Sequence, residues 1–119
     1  MKNARILVVD DEENIRLLFK EELEDEGFEV DLASNGFEAL DKLKKGRFDL
    51  VVLDIKMPGM DGIQALNEIK NANKDQLVIL CSAYGEFKQD FSSWVSDGYV
   101  VKSADTRELK QTIKNVLGL

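Results

Sequence analysis

The sequence has no histidine, one cysteine and one proline, and no apolar run approaches the roughly 20 residues a membrane helix needs. Each absence excludes a class of chemistry. Without histidine the chain has no imidazole general base, no His-ligated metal and no phosphohistidine of its own. The lone Cys81 can form neither an internal disulfide nor a cysteine zinc site, and its setting in "LVILCS" makes it a core thiol. The N-terminus "MKNARILVVDD" lacks the long apolar segment of a signal peptide, so a cytoplasmic location with no membrane contact is expected. Positive charge is also scarce: 16 bases against 23 acids give a net charge of −7, which argues against nucleic acid as a direct partner.

What is present suits a folded module. The chain has 119 residues, 44% of them apolar and 33% charged, enough for one core and too few for two; residues 1–119 are read as a single domain. Five short apolar runs have strand length: Arg5 to Val9, Glu29 to Ala33, Leu50 to Leu53, Leu77 to Cys81 and Tyr99 to Val101. Between and after them apolar residues recur at helical spacing: Ile15, Leu18, Phe19 and Leu23; Leu40 and Leu43; Ile63, Leu66 and Ile69; Leu109, Ile113, Val116 and Leu117. Phe87, Phe91, Trp94 and Val95 suggest a further short helix among several serines. Gly27 marks the end of the first helix, Asn35 with Gly36 and Asp61 the starts of the next two, and Asp105 with Glu108 fits a capping box on the last. Alternating strands and helices, with strands apolar at consecutive positions, imply an α/β open sandwich: a five-stranded parallel sheet with helices on both faces.

In such sheets ligands sit at the carboxyl ends of the strands. Those ends carry Asp10 and Asp11 after the first strand, Asp54 after the third, Ser82 after the fourth and Lys102 after the fifth. Three clustered carboxylates repel by roughly 1 to 4 kcal/mol per pair, and one lysine does not neutralise them, so the set calls for a cation. Oxygen donors with room for water suit Mg²⁺, or Mn²⁺, better than zinc. Taken singly, each residue has a plainer explanation as a turn former, a cap or a solvated lysine. Glu12 and Glu13 are read as favouring the first helix's N-terminus through its dipole. Pro58, Gly59 and Gly62 shape the turn that carries the chain past Asp54 into the next helix.

The stretches "ILVVDDEE", "DLVVLDIKMPGMDG", "LCSAYGE" and "GYVVKSADTRELKQTI", in this order, resemble a response-regulator receiver domain of two-component signalling, over Lys2 to Leu119. The resemblance implies a flavodoxin-like (βα)5 fold with strand order 2-1-3-4-5. It implies Asp54 as phosphoacceptor for a phosphohistidine on a sensor histidine kinase or a histidine phosphotransfer protein, and Mg²⁺ held by Asp11 directly, Asp10 chiefly through water, Asp54 and the main-chain carbonyl of Lys56. Lys102 would bond a phosphoryl oxygen, and Ser82 would close onto the group. Tyr99 would then turn inward, changing an output surface read by a downstream target protein or effector domain, or by a second copy in a homodimer. Lys56 and Tyr84 occupy positions that tune phosphoryl lifetime in the family.

The chain departs from the family in two places. Most receivers have proline after the active-site lysine, usually behind a cis peptide, and here Ser103 follows Lys102. A cis bond before a non-proline residue costs roughly 3 to 4 kcal/mol, so a trans bond, or else strain kept for function, is expected. The interval from Ser82 to Lys102 is also slightly short. With nothing after Leu119, the chain reads as a stand-alone regulator or a fragment of a longer one. The competing readings are a receiver-like binding module that signals without phosphorylation, a Mg²⁺-dependent phosphatase and a flavin binder. Retention of Asp10, Asp11, Asp54, Ser82 and Lys102 argues against the first. Lys56, where haloacid-dehalogenase-like enzymes need an acid, argues against the second, and the lack of a Ser/Thr/Gly-rich loop after the first strand against the third.

Overall fold

Consecutive aliphatic residues fall where the chain is extended. The computed structural model describes residues 3–83 and 96–119, and within them β1 (Arg5–Val9), β2 (Glu29–Ala33), β3 (Leu50–Asp54), β4 (Leu77–Ser82) and β5 (Gly98–Val101) form one parallel sheet in the order β2-β1-β3-β4-β5. Among the described residues four helices accompany it: α1 (Glu13–Asp25), α2 (Gly36–Lys45), α3 (Gly62–Ala72) and α4 (Arg107–Leu117). The further helix expected around Phe87 to Val95, and Tyr84, lie outside the described residues. No helix among the described residues is long and apolar enough to cross a membrane.

Side chains alternate across the sheet and build two cores. Ile6, Val8, Leu50, Val52 and Ile79 pack with Phe19 and Leu23 of α1 and Leu109 and Ile113 of α4. Leu7, Val9, Val51, Leu53 and Leu80 pack on the other face with Ala39 of α2 and Ala65, Leu66 and Ile69 of α3. Cys81 is buried in the first core, and its thiol is pushed up to about 12 by burial and by nearby Asp54, as befits an inert core residue. Ion pairs from α4 to α1 and its C-cap, Lys110 to Glu22 at 2.9 Å and Lys114 to Glu26 at 2.7 Å, flank that core.

Most helix starts follow the sequence signals. Asn35 Oδ1 accepts from the Glu38 amide, and Asp61 forms a reciprocal capping box with Gln64. The last helix differs from expectation, since its N-cap is Thr106 and no side chain caps it. Asp105 instead accepts from the amide of Arg107 and pairs with its guanidinium, and its own amide donates to Ser103 Oγ, so Glu108 closes no box. The Thr106 hydroxyl is spent on Glu22 of α1, at 2.9 Å. The chain entering β5 is fixed by Asp97, whose Oδ2 accepts from the Val78 amide and from Lys70, both at 2.8 Å. That anchoring determines where Lys102, just beyond β5, arrives.

Strand β2 is an outer strand with its free edge covered. Its outward groups belong to Val30 and Leu32, since the Glu29 amide and the Ala33 carbonyl bond toward β1. Lys20 reaches the Val30 carbonyl at 3.4 Å, Lys42 reaches that of Leu32, and Asp31 Oδ1 accepts from the Leu32 amide. Lysines on an edge block strand addition by other chains. Replacing both, Lys20→Met with Lys42→Met, is therefore expected to raise concentration-dependent association in sedimentation velocity; sedimentation identical to the parent would show that the lysines do not guard this edge.

Candidate functional site

Strand ends and sheet order together bring the chemistry to one place. The strand order reverses direction between β1 and β3, and the carboxyl ends of β1, β3, β4 and β5 deliver Asp10, Asp54, Ser82 and Lys102 to the same edge. Asp54 and Ser82, read from sequence as lying just past their strands, are the last residues of β3 and β4. They are held by the ladder itself, with Asp54 opposite Cys81 and Ser82 opposite Val101. The Lys102 amide donates to the Ser82 carbonyl at 2.5 Å, which fixes the lysine backbone beside β4. The Lys102–Ser103 peptide is trans, as no cis bond occurs among the described residues.

Asp10, Asp54 and Ser82 are buried, whereas Asp11 and Lys56 are exposed. Lys102 Nζ lies 3.1 Å from Asp10 Oδ2, 3.2 Å from Glu12 Oε1 and 3.6 Å from Asp54 Oδ2. Asp10 Oδ1 accepts from the Glu12 amide at 2.9 Å, and the Asp10 carbonyl from Arg16 at 2.8 Å. Tyr99 on β5 is half-buried, packed against the core beneath α2 and α3.

These contacts set the electrostatics. Burial, then the negative charge of Asp10, pushes Asp54 up to about 7, with Lys102 pulling the other way. Burial likewise raises Asp10 against the opposing Glu12 amide and Lys102. Burial works against the Lys102 charge, but its bond to Asp10 and the field of Asp54 outweigh that and raise its pKa. Among the described residues, two buried carboxylates, with Asp11 and Glu12 beside them, face the Lys102 ammonium, so this part of the site carries excess negative charge.

That donor set fits a hard divalent cation. Asp10, Asp11 and Glu12 offer carboxylate oxygens within 4.8 Å of one another, and Lys102 links Asp54 to them. Glu12 is the residue that sequence reasoning left out, having assigned it to the helix dipole. Its contact with Lys102 spans 90 positions and has no local signal. Gly62, expected from the sequence to help shape the turn past Asp54, also packs directly on the strand: its amide donates to the Ile55 carbonyl at 2.6 Å and its Cα lies against the end of β3. Gly59, at φ +81, makes the preceding turn in a conformation glycine tolerates best.

With this geometry in view, the likenesses to known proteins are specific. A family model described as the response regulator receiver domain matches residues 6–114. Sporulation initiation phosphotransferase F of Bacillus subtilis is 40% identical over 121 aligned residues, spanning 100% of this chain and 98% of that protein. The response regulator protein TrrA of Thermotoga maritima, solved in complex with Mg²⁺-BeF, is 53% identical with a TM-score of 0.91, covering 98% of this chain and 99% of TrrA. TrrA in complex with the histidine kinase ThkA matches at 54% identity and a TM-score of 0.90, with the same coverage.

Proposed function

The chain belongs to the response regulator receiver family, and we propose that it is a phosphorylation-activated switch of two-component signalling with Asp54 as its phosphoacceptor. The observation that carries this reading is the setting of Asp54: a side chain only 4% exposed at the end of β3, 3.6 Å from Lys102, where carboxylates outnumber cations among the described residues. Such a carboxylate is held rigidly and shares its countercharge with Asp10 and Glu12, which suits a nucleophile that works beside a metal. Asp10, Asp11 and Asp54, with the main-chain carbonyl of Lys56, would hold Mg²⁺ or Mn²⁺. When bound, the ion supplies positive charge against the transferring phosphoryl group. The Mg²⁺-BeF complex of TrrA supports this ion, and the ThkA complex supports a histidine kinase as partner.

In the transfer, an Asp54 carboxylate oxygen forms a bond to phosphorus as the P–N bond of the partner's phosphohistidine breaks. The imidazole nitrogen keeps the bonding pair and takes a proton from solvent. Lys102 Nζ donates to one phosphoryl oxygen and the Ser82 hydroxyl to another. The domain, residues 1–119, thus assists its own phosphorylation and dephosphorylation rather than turning over a separate substrate. Drawing Ser82 inward lets Tyr99 bury further and alters the surface around β5 and α4 that a downstream target, an effector domain or a second copy reads.

With Mg²⁺ and acetyl phosphate, the protein is expected to gain a phosphoryl adduct in intact mass that needs the metal and is lost in Asp54→Asn. No adduct from acetyl phosphate or a cognate kinase would favour a phosphorylation-independent binding module. Phosphate release from unrelated monoesters would favour a phosphatase.

A further inference from the structure

Lys102 is not directed at Asp54 alone. Among the carboxylates of the described residues, Asp10 at 3.1 Å and Glu12 at 3.2 Å lie nearer its ammonium than Asp54 at 3.6 Å. The lysine backbone is fixed by its bond to Ser82, so only side-chain torsions can redirect the ammonium. Asp10 is itself a candidate metal ligand, and a cation there would take its oxygens from Lys102. Glu12 is then left as the competing carboxylate. It is well placed for that part, since its amide is tied to Asp10 Oδ1 at 2.9 Å while its side chain is 61% exposed and free of the buried pair.

We propose that Glu12 is a positioning residue that holds Lys102 in a resting place and competes with the phosphoryl group on Asp54 for its ammonium. The proposal rests on the phosphoacceptor reading above. It predicts an effect of reach rather than of charge. Glu12→Asp keeps the negative charge but shortens the side chain by one methylene, about 1.5 Å, and so loses the contact. Glu12→Gln keeps the length and loses the charge. Both variants should therefore act alike.

The two variants and the parent protein are compared at saturating Mg²⁺ with acetyl phosphate, following adduct formation by mass. Both variants are expected to react about two- to fivefold faster, the range for releasing a partly exposed ion pair. Thermal midpoints should fall by no more than about 5 °C, the loss of one partly exposed ion pair. Without metal, ¹⁵N NMR of the Lys102 ammonium should show faster proton exchange in both variants than in the parent. A faster Glu12→Gln beside a Glu12→Asp at the parent rate would make bulk charge the cause and overturn the proposal. So would slower reaction in both, or a Mg²⁺ affinity weakened by about tenfold in both by calorimetry, which would make Glu12 part of the metal site. No adduct on any of the three sinks the phosphoacceptor reading together with the proposal, whereas a normal adduct on the parent with unchanged variant rates and exchange sinks the proposal alone.

Discussion

Gly62→Ala is expected to destabilise the domain by roughly 2 to 4 kcal/mol and lower its thermal midpoint by on the order of 10 °C, although helix propensity alone favours alanine there by about 1 kcal/mol. Gly62 opens α3 directly against the end of β3. A Cβ there would lie 2.2 Å from the Asp54 carbonyl oxygen, 2.6 Å from Ile55 Cα and 2.9 Å from the Asp54 carbonyl carbon. All three are backbone atoms of the segment that carries the candidate nucleophile, so relief requires moving either the helix or Asp54. Phosphoryl adduct formation should therefore slow along with the loss of stability. Gly36→Ala is the matched control, since it also opens a helix. There the closest atom, 2.9 Å away, is the sulfur of Met60, which can swing aside, and the change should stay within about 1 kcal/mol. Urea unfolding of the two variants decides the matter: a Gly62→Ala protein as stable as the parent would show that the β3–α3 junction is more yielding than its geometry implies.

These glycines mark a boundary in what the sequence discloses. The run "RILVV" is legible from consecutive apolar positions and "EVDLA" from Val30, Leu32 and Ala33 around Asp31, and the observed limits of β1 and β2 coincide with those runs. Convergence of Asp10, Asp54, Ser82 and Lys102 followed from topology, because parallel strands put all their carboxyl ends on one edge. What escaped the reading depends on contacts between distant segments. Thr106 caps α4 without a side-chain bond because its hydroxyl answers Glu22, far away in sequence, and the expected Asp105 to Glu108 box does not form. Glu12 looked like a first-turn acid because its neighbours are acids too; only the arrival of Lys102 from β5 distinguishes it. Polarity at Asp54 and Ser82 signals a turn locally and so ends each expected strand one residue early, while the ladder continues through both.

The absence of histidine makes one further expectation unusually clean to measure. Burial and the charge of Asp10 push Asp54 up to about 7, against 3.8 for an unperturbed aspartate. Between those values the folded state holds a proton that the unfolded state has lost, so stability falls as pH rises from about 4 to about 7 and levels off above. The displacement corresponds to at most roughly 4 kcal/mol at 1.36 kcal/mol per unit. The acids whose pKa values are lowered, Glu22, Glu26, Asp31, Glu38 and Asp105, act with the opposite sign, but below about pH 4.5, where the unfolded chain protonates. No imidazole titrates in between. Asp10 is raised as well and keeps part of the slope, so the comparison that isolates Asp54 is with Asp54→Asn. In EDTA at pH 8 that variant should be more stable than the parent by roughly 1 to 4 kcal/mol, with the gap closing toward pH 5. Adding Mg²⁺ at pH 8 should stabilise the parent in proportion to ln(1 + [Mg²⁺]/Kd) and the variant far less, reversing or narrowing the order. Urea unfolding at four pH values, with and without the metal, tests both halves. A parent that is as stable as Asp54→Asn at pH 8 without metal would mean that Lys102 fully compensates the buried carboxylate, and that the site has no excess charge for a cation to relieve.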